Sequence, residues 1–133
     1  MRRMALRVAV LAAALEGCGP PPAQVAGTYS GQKSLTVTAG ANEQSSEVIS
    51  ISQSGGDISF TLSMCGVKAT ADGAASFRIA DFKCSKYLAS QSWELSGSGK
   101  VTANANAVTV SITGTGKNGP VESPFTWTFS GSR

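Results

Sequence analysis

The sequence predicts an all-β domain: a single eight-stranded antiparallel meander closed into an up-and-down barrel. Three observations carry this. From Val25 onward Ser and Thr alternate with apolar residues at period two, the mark of strands with one buried face. Turn residues separate the apolar runs at short intervals, at Gly55-Gly56, Asp72-Gly73 and Ala105-Asn106. Finally, the strands carry no strong edge protection, a difficulty that closure into a barrel removes.

The elements follow in order. Met1 to Arg7 places three arginines before an uncharged run, Val8 to Leu15, built only of Val, Ala and Leu. This is the layout of a secretory signal, and the run falls well short of the roughly 20 apolar residues that a permanent span needs. Leu15-Glu16-Gly17-Cys18 resembles the lipobox of bacterial lipoproteins, with Glu16 where a small or apolar residue is usual. The resemblance implies cleavage before Cys18 and lipid attachment to its sulfur. The alternative is ordinary cleavage near Gly17, leaving Cys18 a free thiol. The division is therefore a signal peptide at 1–17, a lipidated cysteine and proline-rich tether at 18–24, and a barrel domain at 25–133. The implied location is the bacterial cell envelope, lipid-anchored in the outer membrane, with the domain facing periplasm or cell surface. Pro20-Pro21-Pro22 would hold the tether in extended polyproline II.

Loss of residues 1–17 removes Arg2, Arg3, Arg7 and Glu16, leaving eight basic against seven acidic residues, and the six lysines are scattered. No electrostatic case for nucleic acid remains, because phosphate binding needs clustered Lys and Arg. Cys65 and Cys84 form an even pair in an oxidising compartment, and a disulfide is the natural reading.

Among the strands, the first runs from Thr28 to Thr38 and carries Tyr29, Leu35 and Val37. A turn at Gly55-Gly56 pairs Ile51 with Phe60, Ile49 with Leu62 and Ser52 with Ser59, which keeps apolar and hydroxyl faces apart. A turn at Asp72-Gly73 pairs Lys68 with Phe77 and Val67 with Arg78, a poorer match, and carried further it sets Cys65 opposite Ala80 with Cys84 in the following loop. A turn near Ala105-Asn106 aligns Val101 with Val110, Ala103 with Val108 and Gly99 with Ile112. Phe125-Thr126-Trp127-Thr128-Phe129 closes the set, with three aromatics on one face. A β-sandwich of immunoglobulin type is the alternative. Its intersheet bridge spans many more residues than Cys65 to Cys84, and its core tryptophan would lie between the cysteines, whereas Trp93 follows both.

Gly27-Thr28-Tyr29 resembles the Gly-x-Trp opening of lipocalin-like (calycin) barrels, with Tyr in place of Trp. The resemblance implies that the aromatic plugs one end and that the interior takes a small apolar ligand. The opening strand is also similar to that of avidins, but Trp93 and Trp127 alone do not meet the avidin pattern of several site tryptophans, which argues against biotin. The candidate lining residues are Tyr29, Phe60, Trp93, Phe125 and Trp127, and the competing reading is that they only fill the core.

With no histidine, neither a Ser-His-Asp nor a Cys-His arrangement can be built, and no close cysteine pair offers a metal site. Asp57, Asp72 and Asp81 read as turn or loop residues, Glu43 and Glu122 as connections. No catalytic residue, metal or cofactor is expected. Two functions remain: a small-ligand barrel, or a protein-interaction module such as a hydrolase inhibitor or assembly accessory, acting through loops 39–45, 81–91 and 116–123. In either case the protein is expected to be a monomer, with the membrane as a partner through its anchor. Gly97 and Gly99 leave space opposite Gly114 and Ile112, for a barrel bend or a cavity.

Overall fold

A computed structural model describes residues 21–133. The stretches read as signal peptide and lipobox, including Cys18, and the first proline of the segment read as tether lie outside the described residues. Eight antiparallel strands follow in chain order: β1 Gly27–Val37, β2 Ala41–Ser54, β3 Asp57–Leu62, β4 Cys65–Ala71, β5 Ser76–Leu88, β6 Gln91–Asn104, β7 Ala107–Asn118 and β8 Val121–Ser132. Each pairs with the next, and β8 returns to β1 from Ser30/Ser132 to Val37/Phe125, so the sheet closes as a meander barrel. The interior is one continuous apolar core to which every strand contributes.

The third hairpin has the expected register, with Val101/Val110, Ala103/Val108 and Gly99/Ile112 opposite each other. Its glycines leave no free space. A Cβ on Gly97 would collide with the carbonyl oxygen of Thr113, and one on Gly114 with that of Ser96, so the strands approach there as only glycine allows.

The first hairpin agrees in register at Ser52/Ser59, but its ladder holds only from there to Ser54/Asp57. The expected pairs Ile51/Phe60 and Ile49/Leu62 do not form. Beyond Ser52, β2 stays with β1, which it follows from Ile51 to Ala41. At the far end the Ser63 N–H donates to the Glu47 carboxylate, 2.5 Å, so a side chain replaces a backbone partner.

The second hairpin is shifted. Ala71 faces Phe77 and Thr70 faces Arg78, three residues from the expected pairing. Period two explains the outcome: an odd slip would have set exposed Lys68 opposite buried Phe77. The connection is longer than two residues, with Asp72 N–H donating to the Ser76 carbonyl at 3.0 Å and the Ser76 hydroxyl donating to the Asp72 carboxylate at 2.5 Å. Cys84 therefore lies within β5 and not in a loop, and it is joined to Cys65 as a disulfide.

The three loops expected at 39–45, 81–91 and 116–123 are largely strand. Only short turns remain between β1 and β2, β5 and β6, and β7 and β8. Glu43, Asp57, Asp81 and Glu122 are accordingly strand residues, while Asp72 stays in a connection. The β5–β6 turn, Ala89-Ser90, has both residues at positive φ without glycine or asparagine, as does Ser63-Met64 between β3 and β4. A register shift between Ile79 and Phe82 places a bulge at Ala80-Asp81.

The segment just ahead of β1 packs against one end of the barrel. Val25 is buried, and Ala23, within the segment read as tether, donates its N–H to the Ala74 carbonyl at 2.8 Å. Gln53 spans both residues, donating to the Ala23 carbonyl and accepting from the Val25 N–H. The Tyr29 hydroxyl donates to the Val25 carbonyl at 2.8 Å, and Arg133 lies over the Tyr29 ring, 5.4 Å from its centre, while donating to the Ala26 carbonyl.

Candidate functional site

The five candidate lining aromatics all belong to the buried core, each at most 6% exposed. They do not form a single group, although Phe125 and Trp127 are neighbours on the inward face of β8. Tyr29 sits at the end capped by Val25 and Arg133, and Phe60 lies in the β3–β4 hairpin. Trp127 meets the edge of Phe82 at 5.8 Å and has the Lys86 ammonium 5.8 Å from its ring centre. The indole N–H groups of Trp93 and Trp127 are buried without a hydrogen-bond partner among the described residues.

Four charged side chains lie together between β1, β2 and β5. Lys33 is 9% exposed, and its ammonium stands 3.3 Å from both Glu43 and Glu47. Lys86 reaches Glu43 from β5 at 3.6 Å. The Glu43 oxygen makes these ionic contacts without an aligned hydrogen bond. Lys33 also donates to the Ser63 hydroxyl, which itself donates to Glu47 at 2.9 Å. Burial by itself would raise the Glu47 carboxyl. The Ser63 N–H and hydroxyl, with the Lys33 ammonium, outweigh it and hold the pKa below the ordinary carboxylate value. The cluster is a clasp: it ties the β3–β4 turn to β2, as the disulfide ties the start of β4 to β5. The Ser63 hydroxyl is thus directed at Glu47, and the Lys33 ammonium is shared by two carboxylates.

These residues were open to a stricter reading of the alternation. Lys33 is in phase with Tyr29, Leu35 and Val37, and Glu47 with Ile49 and Ile51. A charge on the apolar phase of a strand must find a partner inside.

Beside this clasp the outer surface carries a broad depression of about 730 Å³, open to solvent. Glu47, Val48, Ser50 and Ser52 of β2 form one wall and Asp81 and Lys83 of β5 the other, with Ser59, Thr61, Gly66 and Lys68 of the hairpin between them. Phe60 and Val67 also reach it. Of the five candidate aromatics, Phe60 alone lines it.

Comparison with protein-family models, curated proteins and solved structures finds no match. The functional reading therefore stands on the site itself. Among the described residues no group of three His, Cys, Asp or Glu side chains is placed to hold a metal ion.

Proposed function

We propose that the protein is a non-enzymatic lipoprotein of the bacterial cell envelope, held through Cys18, whose barrel serves as a protein-interaction module. The observation that carries this reading is the filled interior. Tyr29, Trp93, Phe125 and Trp127 are packed in a core shared with Phe77, Phe82 and Phe129, which leaves the outer surface to do the binding. A barrel closed on itself is a rigid support for such a surface.

A small apolar ligand inside the barrel is the second reading. The two unpartnered indole N–H groups favour it, because buried donors ordinarily find an acceptor. The Tyr29 cap at one end also supports the likeness to lipocalin-like barrels, in which the opening aromatic plugs one end.

Two measurements test these readings. Cys18→Ala should release the protein from the membrane fraction, and unchanged fractionation would refute the anchor. Cross-linking of the full-length protein in intact cells, followed by mass spectrometry, should yield a discrete protein adduct. No adduct, together with a small-molecule mass that co-purifies and is lost on denaturation, would move the function to the barrel interior.

A further inference from the structure

The meander leaves one place where its strands do not pair. β2 follows β1 along Ala41–Ile51 but bonds β3 only from Ser52 to Ser54, and β4 bonds β5 only at Thr70 and Ala71. The β3–β4 hairpin itself is complete, with six consecutive pairs from Asp57/Thr70 to Leu62/Cys65. Two strand edges, those of β2 and β5, therefore lack ladder bonds on either side of an intact hairpin, whose far end is held by the Ser63–Glu47 bonds and the Cys65–Cys84 disulfide, and both form walls of the 730 Å³ depression. In a barrel, whose closure elsewhere removes edges, this is the surface that still offers backbone N–H and C=O groups in a row.

The two edges are not equivalent. β5 carries the Ala80-Asp81 bulge and Lys83, features that discourage a new strand. From Val48 to Ile51, where β3 is not yet paired, β2 has no charge, no proline and no break in its ladder with β1, and Val48 is 60% exposed. Ser50 and Ser52 add hydroxyls on the same wall.

The charges select among extended partners. Glu47 is already countered by Lys33 and Ser63. Lys68 and Lys83 are in no ion pair among the described residues, and Asp81 opposes them singly, so the open groove is net positive.

From this we infer that the groove docks an extended, acidic polypeptide segment, which adds as a strand to the β2 edge and sets its carboxylates against Lys68 and Lys83. Backbone bonding supplies affinity and the lysines supply selectivity, the usual division in strand addition. The inference rests on the interaction-module reading and names its surface and partner chemistry.

Gly66 offers a clean test, because a side chain there meets nothing within 4 Å and its backbone is not left-handed. Gly66→Trp should fill the groove and leave strand content and melting temperature unchanged. The probe is a fluorescein-labelled Thr-Val-Glu-Val-Thr-Val-Glu-Val peptide, titrated by anisotropy against the full-length protein in mild detergent. Saturable binding is expected, abolished by Gly66→Trp and by N-methylation of alternate peptide nitrogens. The pair Lys68→Glu and Lys83→Glu should weaken it about tenfold and favour the lysine version of the peptide instead. No saturable binding, or binding indifferent to Gly66→Trp, overturns the inference. A photo-cross-linker in place of Val48, and another in place of Tyr87, separates the two levels in cells. Adducts at Val48 that Gly66→Trp removes support the groove. Adducts at Tyr87 alone keep the interaction module and reject the groove. Adducts at neither position, nor with general cross-linkers, reject the module as well.

Discussion

Removing the disulfide should loosen one hairpin and not the barrel. Cys65 and Cys84 are 19 residues apart in sequence. Closing a loop of that size restricts the unfolded chain by about 3 kcal/mol. With an unfolding entropy near 2.1 cal/mol/K per residue, that corresponds to a fall of about 13 °C in melting temperature for a domain of this size. The loss should also be local. The β3–β4 hairpin is joined to its neighbours by three ladder pairs on one side and two on the other, so the disulfide and the Ser63–Glu47 clasp hold its far end. β6, β7 and β8, which pair along most of their length, do not depend on it. Cys65→Ala/Cys84→Ala should therefore keep its strand content by circular dichroism, melt about 13 °C lower, and exchange amides faster across 57–71 than across 91–132. A drop under about 4 °C, or exchange that rises evenly over all eight strands, would refute the reasoning.

The ionic clasp makes two further predictions. Lys33→Met leaves Glu43 with Lys86 and Glu47 with Ser63 as its only partner among the described residues, and should cost roughly 3 kcal/mol in urea denaturation, part of which Lys33→Met/Glu47→Gln recovers; a loss below about 1 kcal/mol would mean the pair is not electrostatically buried. The pH dependence has a definite sign. Because the folded Glu47 carboxyl titrates below its unfolded value of 4.5, its contribution is present above that pH and is lost as pH falls through the folded value. Glu47→Gln should flatten the acid limb of melting temperature against pH, and an equally steep limb in the variant would show that other carboxylates set it.

Local pattern accounts for much of the architecture. The β6–β7 hairpin was legible in full because Val101, Ala103, Val108 and Val110 alternate about an Asn-containing turn, and both sequence neighbours and register are short-range properties. The β5–β6 hairpin was not legible. Its turn is Ala89-Ser90, two residues that enter left-handed backbone with none of the usual turn chemistry, so a continuous strand pair read as a loop from 81 to 91. Tyr29, Phe60, Trp93, Phe125 and Trp127 were legible as inward-facing. Their separation within the core was not, because strand phase specifies a face and says nothing of height along the barrel.

Alternation and turn residues, then, specify an eight-stranded meander and which side of each strand is buried, since both arise from the two-residue repeat of the pleat. The shift of β4 against β5, the gathering of Lys33, Glu43, Glu47 and Lys86, and the bare edge of β2 belong to the closed barrel. Each depends on residues far apart in the chain meeting under one geometric constraint. Once β8 joins β1, the space left for the β3–β4 hairpin is set by the whole ring, and a side-chain clasp and a disulfide complete what the backbone ladder there does not.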